Sequence, residues 1–136
     1  MKRIEINYVS AWAKAVDDND AAARDGRSYG ESSDSRLMRL AFGSYKLECF
    51  LGRLRIRYET PWLKLSSLEA GRLYLLNKHH WTMEVLQQIR ANDLLAILQE
   101  ELADMAMTKE EFEPVQTWGT HLSCYQELLE SARLQK

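Results

Sequence analysis

The feature that most constrains this chain is the alternation, after residue 65, of helix-capping residues with apolar stripes at helical spacing. Ser66 and Glu69 have the form of a capping box, and Leu68, Arg72, Leu75, Leu76 and His79 follow at steps of three and four. Thr82 stands ahead of Val85, Leu86 and Ile89, and Asn92 ahead of Leu95, Leu98, Leu102 and Met105. Thr108 with Glu111 makes a second box, and Pro114 is read as an interruption. Thr117 or Thr120 then caps a last helix carrying Trp118, Leu122, Tyr125, Leu129 and Ala132. Caps recurring this closely, each before a matching stripe, predict short helices packed antiparallel.

Upstream the pattern is looser. Ile4, Ile6 and Tyr8 alternate as in a short strand, whereas Tyr8, Trp12 and Val16 repeat every four residues as in a helix that loses its pattern by Asp17-Asp18-Asn19-Asp20. Residues 25–35 carry Gly26, Gly30 and several serines, and read as a mobile surface loop. Ser33, Asp34 or Ser35 then caps a helix over about 36–57, whose apolar face is Leu37, Leu40, Ala41, Leu47, Leu51, Leu54 and Tyr58. Gly43 and Gly52 weaken that helix, and the strict alternation from Arg53 to Tyr58 offers a strand at 52–59 instead. Thr60-Pro61 ends the element in either case. The expected fold is all-α or predominantly α, a compact bundle of five to seven short helices in one domain over 1–136, with at most one small strand near the N-terminus or at 52–59.

Apolar residues make up 46% and charged residues 28%, the balance of a globular chain that buries its own core. No apolar run reaches the length of a membrane span, and no h-region follows Lys2-Arg3, so a cytoplasmic protein without membrane attachment is expected. Cys49 and Cys124 each sit in an apolar helical pattern, which suggests reduced, half-buried thiols or else one long-range disulfide.

Motifs with chemistry are scarce. The chain contains no Walker A or Gly-x-Gly-x-x-Gly sequence. His79-His80-Trp81, with Glu84 nearby, is the most reactive-looking cluster. Adjacent histidines point about 100° apart on a helix, however, and fit a helix C-terminus better than one metal. Cys124 with His121 three residues before it reads as packing. The acidic groups Asp17-Asp18-Asp20, Glu100-Glu101 and Glu110-Glu111-Glu113 read as solvated or capping carboxylates, since no calcium-loop glycine or glutamate follows the first. No catalytic residue, cofactor or metal is therefore assigned.

Charge is unevenly spread. From Arg36 to Lys64 there are seven basic residues against two acidic ones, while from Glu84 to Glu130 there are ten acids against two bases. The candidate binding residues are Arg36, Arg39, Lys46, Arg53, Arg55 and Arg57. An arginine-rich set of this kind suits phosphate or carboxylate, and the plainest alternative is that it pairs with the chain's own acidic helices. Trp62, after Pro61, is the tryptophan expected to be most exposed, an anchor for a partner if it is not a buried staple. These features favour a small non-enzymatic regulatory or adaptor protein that binds another protein or itself, as inhibitors, immunity proteins, antitoxins and assembly chaperones do. The alternative is a nucleic-acid-binding regulator using the basic face of 36–57, against which stands a pI of about 5.9.

Overall fold

The computed structural model describes residues 6–25 and 33–135. Among these residues it contains eight helices: α1 (Tyr8–Asp25), α2 (Ser33–Tyr58), α3 (Ser67–His79), α4 (Met83–Gln87), α5 (Ala91–Ile97), α6 (Gln99–Asp104), α7 (Lys109–Gly119) and α8 (Tyr125–Ala132). The fold is all-α, with one helix more than the upper end of the expected range. Bridging backbone bonds between Thr60 and Leu63 are the sole strand-like pairing among the described residues.

α2 is the axis of the bundle. It packs on α1 and α3, and also touches α5, α6 and α7. Its buried positions Met38, Ala41, Tyr45, Leu51 and Leu54 form one core with Trp12 of α1, Leu75 of α3, Leu94 of α5, Leu102 of α6 and Phe112 of α7. Trp12 is fully buried, edge-on to Tyr45 at 5.4 Å and to Trp118 at 6.2 Å between ring centroids.

The strand at 52–59 does not form. Among the described residues, 53–58 have no neighbouring strand to pair with, and they continue the helix begun at Ser33, burying Leu54 and leaving Ile56 exposed. Gly52 is tolerated there because Ile6 fills its place, with a Cβ at that position lying 2.5 Å from the Ile6 Cδ1. α1 also outlasts its apolar pattern. Asn7 caps it, its Oδ1 accepting from the Ser10 N–H at 3.0 Å. Small residues continue the buried face through Ala15 and Ala23, and the Asn19 amide reaches Ser44 Oγ on α2 at 3.0 Å. Asp17, Asp18 and Asp20 are thus helical and form no loop. Of the loop expected at 25–35, Asp25 and Ser33–Ser35 are helical. Residues 26–32 lie outside the described residues, as does the first part of the strand considered near Ile4.

The capping boxes of Ser66 with Glu69 and Thr108 with Glu111 are present, as is the Thr82 cap. Asn92 does not cap. α5 begins two residues earlier, because the Asp93 carboxylate accepts from the Arg90 backbone N–H at 2.8 Å. Of the stripe read at Leu95, Leu98, Leu102 and Met105, the last three are buried although the helix breaks at Leu98, while Leu95 is half-buried and Leu94 takes the core position beside it. Pro114 lies inside α7 and does not end it. An interior proline removes a hydrogen bond and normally costs about 3 kcal/mol. Here Pro114 is buried, and the turn before it is held by the Thr108 box and by the Tyr45 hydroxyl, which donates to the Glu111 carbonyl. α7 therefore takes in Trp118, and the last helix starts at Tyr125, after both threonines read as its cap.

Candidate functional site

The cations of α2 are built into the bundle to very different degrees. Arg39 pairs with Glu127 of α8, its Nη2 2.9 Å from Oε2. Arg53 bridges to Glu111, and its Nη2 also donates to the Ala106 carbonyl at 2.9 Å. Lys46 is only 5% exposed and donates to the Ser131 carbonyl at 2.7 Å. In a helix Arg55 stands about 200° of rotation from Arg53 and from Arg57, so the three do not share the face a strand would give them. Its Nε donates to the Leu65 carbonyl at 3.1 Å. Arg36 is half-buried, and its Nε has no acceptor among the described residues. Arg57 is exposed, its guanidinium carbon 5.9 Å from the Tyr58 ring centroid. Much of the positive charge is thus directed at acceptors of the same chain, from α7, α8 and the loops.

Trp62 is the opposite case, with 83% of its surface open to solvent. Two backbone bonds between Thr60 and Leu63, at 3.1 and 3.3 Å, close the turn that carries it. The buried staple is therefore not realised. Leu63, next in the chain, is exposed at the mouth of an apolar cleft of about 320 Å³ between this turn, α3 and α4. Leu65, Leu73 and Leu76 line one side and Met83 and Leu86 the other. Met83 and Val85 on α4 are also exposed. Arg72 at the edge of the cleft donates to the Ile89 and Gln87 carbonyls, and so fixes the end of α4 against α3.

The sequence points to Trp62 but not to Leu73 or Met83. The signal for a second apolar surface is the run Leu73-Tyr74-Leu75-Leu76, in which one core-facing stripe cannot accommodate every apolar side chain. Leu75 is fully buried, while Leu73 and Leu76 turn to the cleft.

The histidine cluster ends α3. His80 adopts left-handed backbone, φ 57°, and its N–H donates to the Leu76 carbonyl at 2.9 Å. His79 stacks on Trp81 with ring centroids 5.1 Å apart. Among the described residues no group of three or more His, Cys, Asp and Glu side chains is placed to hold a metal. Both cysteines are free and buried, more deeply than the half-burial expected of them. Burial, and then the Glu111 charge, push the Cys49 thiol up to about 12. His121 is exposed while Cys124 is enclosed. No described helix is long and apolar enough to cross a membrane. No protein-family model, curated protein or solved structure matches this chain.

Proposed function

We propose that this chain works without catalysing a reaction, as a regulatory or adaptor protein that binds another protein through the Trp62 turn and the adjoining cleft. The observation that carries the reading is Trp62 itself, 83% exposed on a hydrogen-bonded turn beside an apolar cleft. An exposed tryptophan costs solvation free energy unless a partner covers it, and a rigid aromatic next to a pocket is the usual form of an interface hot spot. Exposed Leu63 and Met83, which both line the cleft, extend the same surface. Affinity capture from the native host, with wild type and with Trp62→Ala combined with Met83→Asp as baits, tests it. The reading expects a stoichiometric partner lost with the double variant at unchanged circular dichroism. A monomer that retains nothing, or a partner held equally by both baits, overturns it.

Nucleic-acid binding by the α2 cations is the second reading. Arg57 and Lys64 are exposed, which leaves it some support, but Arg39, Lys46, Arg53 and Arg55 direct donors to internal acceptors. Gel-shift titration at two salt concentrations decides it, since phosphate contacts weaken steeply with salt. Absence of a shift at low salt, or a shift unchanged by Arg57→Glu with Lys64→Glu, removes it.

A further inference from the structure

A cavity of about 490 Å³, on the side of α2 facing α5, α6 and the end of α8, holds an unusual pair of features. This volume falls within the roughly 300–1,000 Å³ of small-molecule sites. Phe42, Leu95, Leu102 and Ala103 give it apolar walls, and Lys46 brings an ammonium group to it. That ammonium has three N–H donors, of which the Ser131 carbonyl takes one. No described carboxylate pairs with it. The charges that act on it are Arg133 and Arg53, which repel it, and Asp104, which attracts it but lies 3.5 Å from Arg133 and is largely exposed; Glu130 also lines the cavity, without an ion pair to Lys46. Burial, and then the two guanidiniums, hold the Lys46 amine below its ordinary value. A buried cation with so little compensation is expensive to maintain.

Gly43 is the second, independent observation. A Cβ at Gly52, Gly71 or Gly119 would meet Ile6, Leu94 or Met38 at 2.5, 2.8 and 2.8 Å, so close packing explains those glycines. At Gly43 the nearest atom is the Leu95 Cδ1 at 3.8 Å, ordinary contact distance. Gly43 lies inside α2, where alanine is favoured by about 1 kcal/mol, and it lines the cavity one turn from Lys46. Among the described residues no packing demand accounts for it, and its effect is to leave the cavity floor open.

We propose that this cavity binds a small carboxylic acid with an apolar tail, the carboxylate on the Lys46 ammonium and the tail over Gly43 against Phe42, Leu95 and Leu102. The carboxylate supplies the compensating charge that Lys46 lacks, and the walls accept the tail. A phosphate fits less well, because the lining is mostly apolar and leaves a fully polar anion nothing to gain from Phe42, Leu95 and Leu102. The proposal is independent of the Trp62 surface.

Isothermal titration calorimetry of the full chain near neutral pH tests it, with octanoate, 1-octanol and inorganic phosphate as probes. Octanoate is expected to bind saturably at one site, with 1-octanol and phosphate each weaker by about tenfold or more, a difference of about 1.4 kcal/mol. Lys46→Met is expected to weaken octanoate by about tenfold or more. Gly43→Leu, which fills the floor and leaves Lys46 in place, is expected to abolish saturable binding. The second variant keeps the test decisive if the first does not fold. No saturable octanoate binding up to about 10 mM by folded wild type overturns the proposal. So does equal binding of 1-octanol or of phosphate, or octanoate binding unchanged in folded Lys46→Met or Gly43→Leu.

Discussion

Arg53 holds Glu111 at two points, Nε to Oε2 at 3.1 Å and Nη2 to Oε1 at 2.5 Å, and the same carboxylate accepts from the Thr108 N–H at 2.8 Å. One side chain thus closes the N-terminus of α7 and ties that helix to α2. Removing the arginine leaves a buried carboxylate with only its capping bond. Arg53→Leu is expected to destabilise the fold by about 3 kcal/mol, the low end for a broken buried pair because Arg53 is partly exposed. Glu111→Gln keeps the capping geometry and should cost less. Urea unfolding of both single variants and the double variant measures the coupling; additive effects would contradict the pairing.

The glycines of the core divide by what surrounds them. Gly43→Ala is expected to raise stability by about 1 kcal/mol, since the new methyl gains helix propensity without a clash. Gly71→Ala is expected to lower it by about 1–3 kcal/mol, because its Cβ would lie 2.8 Å from Leu94 and 3.1 Å from Leu51. Chemical denaturation of the two variants should show opposite signs.

Cys49 should be inert to thiol reagents at pH 8 in the folded protein and should react fully once the chain is unfolded, a contrast a chromogenic disulfide reagent reads directly. Its pKa is raised from 9.0 to about 12, first by burial. The folded state therefore binds the proton more tightly than the unfolded state. This contribution to stability is fully present below pH 9 and is lost as pH rises from 9 towards 12. Cys49→Ala should flatten that part of the stability profile.

Trp62→Ala is expected to leave stability within about 0.5 kcal/mol of wild type, because the side chain has little to lose on the free protein. Trp12→Ala is expected to cost about 3–5 kcal/mol, as it empties a fully buried site against Tyr45 and Trp118. Thermal melts of the two variants separate the tryptophan placed for contact from the one placed for the core.

What the sequence made legible was local. The Ser66 and Thr108 boxes need only residues three apart, so their spacing reveals them. Asn92 misleads because Asp93, one residue on, takes the reciprocal role from Arg90. The break at Leu98 and the helical Pro114 depend on burial against distant helices, and no local pattern announces either. The α2 cations follow the same division. The stripe of Arg39, Lys46 and Arg53 is visible in the spacing, but their acceptors lie far along the chain, 88 residues from Arg39 to Glu127, 85 from Lys46 to Ser131 and 58 from Arg53 to Glu111. The cleft beside Trp62 was hidden for a similar reason, since it exists only once the turn at 60–63 is set against α3 and α4.

That order of acceptors has a consequence for how the chain is made. α2 leaves the ribosome well before residues 111–131, so during synthesis Arg53 and Lys46 stand without the groups that later receive them. The backbone bonds joining Met107 to Ala132 and Gln135, each 2.9 Å, are later still. A nascent chain arrested near residue 105 should therefore be open to proteases along α2, and protection should arrive abruptly with the last helix rather than build up helix by helix.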